Sequence, residues 1–222
     1  MKTYRRGESI VRALRGVNLR IKTGEFLSII GPSGSGKTTL LNLLGALDLP
    51  TSGKVFLDGV DLTQIPEGKL YEVRRNKVGF VFQHFYLIPT LTAIENVLVP
   101  VIPMKNNTRF KNRAKELFSI IGLDERMNHK PNQLSGGEQQ RVAICRALIN
   151  NPEVLFCDEI TGELDSATGE KIIGLLKEIN QREAVTVVFV THDPNVSSKS
   201  NRIITLKDGK ITSDNYVGVK GK

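Results

Sequence analysis

The stretch Gly31-Pro32-Ser33-Gly34-Ser35-Gly36-Lys37-Thr38 constrains this chain more than any other. It fits the pattern G-x-x-x-x-G-K-[ST] of a phosphate-binding loop. An apolar run, Phe26-Leu27-Ser28-Ile29-Ile30, precedes it and reads as a buried strand. Thr39 to Leu47 follows and reads as a helix. Between a strand and a helix, such glycines let the backbone curl so that successive N–H groups face inward as an anion nest. The helix N-terminus adds the positive end of its dipole. Gly31, Ser33, Gly34, Ser35, Gly36, Lys37, Thr38 and Thr39 are therefore the candidate phosphate ligands. Lys37 reaches β- and γ-phosphates, and the Thr38 hydroxyl suits Mg²⁺.

The rest of the chain fits an α/β core around that loop. Met1 to Arg6 is polar and basic with one aromatic, Tyr4. Ile10 to Ile21 alternates loosely, as strands do, with a turn at Arg15-Gly16. Lys54 to Leu57 reads as a strand and Asp58-Gly59 as a hairpin turn. Pro66 to Arg75 reads as a short helix, and Val78 to Phe82 as a buried strand that ends at Gln83. The texture then changes. His84 to Pro103 is apolar but broken by Pro89, Pro100 and Pro103. Thr108 to Gly122 is an amphipathic helix with Ala114, Leu117, Phe118 and Ile121 on one face. A further helix spans about Gly136 to Asn150, so residues 84–151 read as a mainly helical insertion. The core resumes with a strand at Val154–Cys157, a helix at Ser166–Gln181 and a central parallel strand at Val185–Val190. Ile203–Leu206 and Lys210–Thr212 make a closing hairpin, and Ser213 to Lys222 reads as a frayed basic tail.

The formal net charge is +8, but the positives are scattered. The clusters at Lys2–Arg15 and Lys105–Lys115 hold one aromatic each and no interleaved series of them, so no nucleic-acid partner is expected. No run approaches the roughly 18 apolar residues of a bilayer span. Nor does the start read as a secretory leader. Cys145 and Cys157 sit in apolar stretches and read as buried free thiols of a reducing compartment.

Two further motifs carry chemistry. Asp158-Glu159 ends a strand, where a phosphate-loop enzyme places its acids. Asp158 suits the Mg²⁺ shell, and Glu159 the general base that polarises an attacking water. In Leu134-Ser135-Gly136-Gly137-Glu138, Ser135 and Glu138 form a capping box at a helix start. The box leaves Gly136 and Gly137 unexplained, since each costs a helix about 1 kcal/mol. Bare backbone at a helix N-terminus is an anion site, so this is a second phosphate-facing surface.

These motifs, with Gln83 and His192 in the same order, resemble the nucleotide-binding domain of ABC transporters along essentially the whole chain. The resemblance implies a P-loop NTPase core with a mainly parallel sheet, an antiparallel β subdomain and an inserted α-helical subdomain, all in one ATPase domain. It implies ATP and Mg²⁺ as cofactors and a head-to-tail homodimer. Each ATP would lie between one protomer's phosphate loop and the other's Ser135, Gly136, Gly137 and Glu138. Tyr4 matches the aromatic that stacks on adenine. Gln83 matches the residue that touches metal and water, and His192 the contact to the γ-phosphate. Asp165 matches the loop running between the two sites. The family also implies an integral membrane permease as partner and a place on the cytoplasmic face of the membrane. Phe82–Val97 and His129–Gln133 are similar to the macrolide-efflux and lipoprotein-release branch, which implies export. An importer ATPase and a soluble ABC-type ATPase acting on nucleic acid are the alternatives. The chain departs from the family at Ile160, where Pro is usual, and at Glu163, where a small residue is common; it also begins three residues before Tyr4. Those departures bear on the loop to Asp165 and on how Tyr4 is fixed.

Overall fold

The computed structural model describes residues 1–217 except Glu8, Lys105 and Asn106. Lys105, in the second basic cluster, and residues 218–222 of the basic tail thus lie outside the described residues.

The strands are β1 (Lys2–Arg6), β2 (Ser9–Leu14), β3 (Phe26–Ile30), β4 (Phe56–Leu57), β5 (Val60–Asp61), β6 (Val78–Phe82), β7 (Val154–Asp158), β8 (Thr186–Val190), β9 (Arg202–Lys207) and β10 (Lys210–Tyr216). The α-helices are α1 (Lys37–Leu44), α2 (Leu70–Lys77), α3 (Ala93–Leu98), α4 (Asn107–Ile120), α5 (Gly136–Leu148), α6 (Ser166–Glu183) and α7 (Pro194–Ser197). The main sheet has the order β10-β9-β3-β8-β7-β6. Strands β9, β3, β8, β7 and β6 run parallel; β10 closes one edge antiparallel. Two antiparallel ribbons, β1–β2 and β4–β5, stand apart from it.

Both faces of the sheet are covered, as its apolar strands require. The period-2 alternation sorts the residues. Phe26, Leu155, Cys157, Val187 and Phe189 pack on one side with Leu117, Phe118, Ile144 and Leu176 of α4, α5 and α6. Leu27, Ile29, Phe156, Val188 and Val190 pack on the other with Leu40, Leu41 and Leu43 of α1. Cys145 and Cys157 are buried free thiols, and burial pushes both thiols well above their ordinary values.

Several elements differ from expectation. The polar start forms β1, because pairing with β2 satisfies its backbone without an apolar face. Val17, Leu19 and Ile21 lie beyond β2 in no strand and pack on the core as single side chains. Alternation reports a buried face, not a ladder. Within the proline-broken stretch, α3 forms on a capping box of Thr92 and Glu95. Buried Asn96 ties the preceding loop down: its Oδ1 accepts from the Ile88 N–H at 2.7 Å, and its Nδ2 donates to the Ile88, Leu91 and Thr92 carbonyls. The described residues from His84 to Asn151 form α3, α4, α5 and short 3₁₀ turns, with no strand. The start of the basic tail does not fray. Ser213 to Tyr216 continue β10, held by Arg202, which donates twice to the Asp214 carboxylate at 2.7 Å.

Candidate functional site

The parallel order brings the carboxyl ends of β6, β7, β8 and β3 to one rim. There Phe82 pairs with Asp158, and Asp158 with Val190. Gln83, Glu159, His192 and the loop from Gly31 follow those strand ends directly.

The loop is braced by backbone. The Gly209 N–H donates to the Ser35 carbonyl at 3.0 Å, joining it to the β9–β10 turn. Two glycines are needed for this approach. A Cβ on Gly31 would stand 2.0 Å from the Leu206 carbonyl oxygen, and one on Gly36 2.5 Å from that of Ala13. Gly36 also takes a left-handed φ of 101° as N-cap of α1. Lys37 is buried, and its ammonium donates to the Gly31 and Pro32 carbonyls at 2.9 and 3.0 Å. The Ser35 hydroxyl is buried with no hydrogen-bond partner among the described residues. A buried orphan hydroxyl inside an amide nest suits an oxyanion ligand.

The Thr38 hydroxyl donates to Asp158 Oδ1 at 3.3 Å. Burial, opposed by that hydrogen bond, holds the Asp158 carboxyl above its ordinary range. Glu159 has a positive φ of 49°, while its N–H still donates to the Val190 carbonyl at 3.1 Å. The backbone thus stays on the sheet and the carboxylate turns to the rim, with Oε1 3.6 Å from His192 Nδ1. The Gln83 amide lies against Gly162, where a Cβ would be 3.1 Å from its Nε2.

Tyr4, Ser33, Gly34, Gly36, Lys37, Thr38, Thr39 and Glu159 line one open cleft of about 630 Å³. Val11, Arg12, Arg15 and Asp208 line it too. Sequence reasoning did not place these four in the site; Arg12 and Arg15 stood out as part of the basic cluster Lys2–Arg15, and Val11 is brought there by pairing with Tyr4 across the ribbon.

The second motif lies elsewhere. Ser135 caps α5, accepting from the Glu138 N–H, and Glu138 accepts from the Ser135 N–H at 2.8 Å. That backbone bond holds the Glu138 carboxyl low, against its burial. Asp165 caps α6, accepting from the Thr168 N–H at 3.0 Å. Ser135, Gly136, Gly137 and Asp165 line a cleft of about 370 Å³ with Arg141 and Lys171. The two clefts share no lining residue. Glu163 reaches across to His84, with 2.5 Å between Oε1 and Nδ1, and so joins the loop before α6 to the end of β6.

Comparison with known proteins supplies the context. A family model described as ABC transporter matches residues 14–162. An uncharacterized ABC transporter ATP-binding protein of Methanocaldococcus jannaschii, MJ0796, is 56% identical over 216 residues, covering 95% of this chain and 92% of that protein. The macrolide export ATP-binding/permease protein MacB of Syntrophobacter fumaroxidans is 48% identical over 213 residues; the match covers 95% of this chain but 30% of MacB. Among solved structures, a dimeric post-hydrolysis state of the MJ0796 cassette bound to ADP and Pi superposes with a TM-score of 0.88 at 50% identity, covering 100% of this chain and 97% of that one. CbiO1 of Clostridium perfringens, part of the ABC transporter complex cbiONQ, superposes with a TM-score of 0.87 at 26% identity, covering 97% and 86%. The mainly parallel α/β fold expected from the sequence is thus that of known cassettes, and the chain belongs to the ABC transporter family as an ATP-binding, ATP-hydrolysing cassette.

Proposed function

We propose that this cassette closes head to tail with a second copy around two ATP molecules and so drives a separate membrane permease. The observation that carries the reading is the division of the phosphate-facing groups between two clefts without a common residue. Each cleft is half a site. The dimeric MJ0796 cassette supports the same pairing.

In this reading Tyr4 stacks on adenine, while the loop amides from Gly31 to Thr39 and the Lys37 ammonium hold the phosphates. Ser135, Gly136 and Gly137 of the other copy face the γ-phosphate. The capping box with Glu138 presents their N–H groups, and Asp165 lies beside them. Thr38, Gln83 and Asp158 offer only oxygen donors to a metal, the set a hard cation prefers. They would hold Mg²⁺, which when bound supplies charge to neutralise the phosphates. Glu159 takes the proton from the attacking water, a general-base contribution of roughly 10²- to 10⁴-fold. His192, beside Glu159, contacts the γ-phosphate, and Gln83 orients the water.

Residues 84–151 act as the helical subdomain that carries Ser135, within a single domain. Its Tyr86 and Ile88 side chains, two residues apart, are 64% and 41% exposed, apolar groups suited to a permease helix. Among the described residues no helix is long and apolar enough to cross a membrane, so the permease supplies the path. The cassette then sits on the cytoplasmic face of the membrane. Likeness to MacB, whose name joins macrolide export to a permease, favours export of an apolar or lipidated substrate.

The test is the solution mass of Glu159→Gln by light scattering, with and without Mg²⁺-free ATP. Pairing only with ATP is expected. A chain that binds ATP yet stays monomeric at all concentrations refutes self-pairing as the driver.

A further inference from the structure

We propose that Asp48 and Lys2 are positioning residues for Tyr4, fixing its ring against α1 and thereby setting affinity for the base of the nucleotide. The inference rests on the assignment of Tyr4 to adenine made above.

The β1–β2 ribbon shares no ladder with the main sheet. At the end of β2 the ribbon already meets the turn that braces the loop, where the Arg15 N–H donates to the Gly209 carbonyl at 2.7 Å; β1, which carries Tyr4, needs a link of its own. Asp48 supplies that link. It lies four residues past the end of α1, the helix that begins at Lys37. Its Oδ2 accepts from the Tyr4 hydroxyl at 2.8 Å. Its Oδ1 accepts from Lys2 Nζ at 2.5 Å and from the Leu49 N–H at 2.7 Å. Lys2 Nζ donates again to the Leu49 carbonyl at 2.7 Å, and stands 4.9 Å from the centroid of the Tyr4 ring. The Thr3 N–H donates to the Thr51 hydroxyl at 3.0 Å. Three consecutive residues of β1 are thus tied to the segment 48–51.

The arrangement does two things to the ring. The hydroxyl is gripped, which removes rotamer freedom before any ligand arrives. An ammonium covers one face, so a base stacks on the face turned to the cleft, where Tyr4 stands with Val11 and Thr39. The rigid helix α1 then works as a spacer. Its first residues hold phosphate, and Asp48, four residues past its end, holds the base platform.

The test uses the full chain, with ATP turnover for kcat and KM and with inorganic tripolyphosphate as competitor. Tripolyphosphate reads the phosphate loop alone. Asp48→Ala should raise KM for ATP about fivefold, the worth of one net hydrogen bond, with kcat and tripolyphosphate inhibition unchanged. Tyr4→Phe keeps the ring and loses the hydroxyl, so it should give the same rise, and the double variant no more. Asp48→Asn retains an acceptor and should recover most of the affinity. An unchanged KM in Asp48→Ala, or additive effects of Asp48→Ala and Tyr4→Phe, overturns the proposal. So does weakened tripolyphosphate inhibition in Tyr4→Phe, because the effect then reaches the phosphate loop. The sequence has no Trp, so Tyr4→Trp gives a single reporter of stacking. Quenching by ATP but not by tripolyphosphate supports the adenine assignment, and no quenching refutes it together with the proposal. Quenching in Tyr4→Trp with an unchanged KM in Asp48→Ala refutes the positioning role alone.

Discussion

Asp158 and Glu159 are neighbours with opposite surroundings. Asp158 faces inward, hydrogen-bonded to Thr38, and burial raises its pKa. Glu159 turns outward on a left-handed φ, beside His192. Adjacent carboxylates can thus divide the work of metal ligand and base, as proposed. Glu159→Gln should cut ATP turnover at least about 10²-fold and leave the ATP dissociation constant within twofold; equal losses in both would move Glu159 from chemistry to binding. At Gly36 the constraint is steric. An added Cβ would meet the Ala13 carbonyl, which is backbone and cannot swing aside. Gly36→Ala should abolish ATP binding in equilibrium dialysis and lower Tm, since strain at a left-handed position adds to the clash. The shape of the loop was legible because it is local: eight consecutive positions specify it. Asp48 was not legible, because its meaning comes from Tyr4, 44 positions away in the chain.

At the scale of elements, strong patterns were readable and weak ones were not. The runs at Phe26–Ile30, Val78–Phe82, Val154–Asp158 and Thr186–Val190 became strands of the main sheet because each buries both faces. β1 escaped notice because a polar ribbon strand has no hydrophobic period. α3 escaped because its prolines flank the helix instead of entering it. Helix α5 was readable from its capping box, and that box separates a structural from a functional role for Ser135. Ser135→Ala should cost about 1 kcal/mol of stability, the usual worth of an N-cap, and leave ATP binding by the single chain intact. In the Glu159→Gln background it should nonetheless abolish ATP-driven pairing in light scattering. Retained pairing would assign Ser135 to helix capping alone.

For the whole molecule, the edge of the sheet is fastened by charge. Buried Arg202 on β9 donates to Asp214 on β10 and to Glu25 before β3, the latter at 2.9 Å. The hydrogen bonds from Arg202 hold the Asp214 carboxyl below its ordinary range. A group depressed in the folded state stabilises above its unfolded pKa and loses that contribution as pH falls through the folded value. Tm should therefore fall in acid, below roughly pH 4. Asp214→Asn should lower Tm at neutral pH and flatten the acid limb; an unchanged limb in differential scanning calorimetry would assign acid sensitivity elsewhere. None of this long-range fastening was visible in the sequence, where residues 213–216 looked like the start of a loose tail.

The separation of the two clefts has a kinetic consequence. If a complete site takes one face from each of two copies, a chain diluted to isolation carries two half-sites and no whole one. Turnover per chain then rises with chain concentration until pairing saturates, and in the dilute limit the total rate follows the square of concentration. A permease that holds two cassettes side by side removes that dependence by raising their local concentration. Tethering alone would switch the ATPase on, without altering a single atom of either cleft.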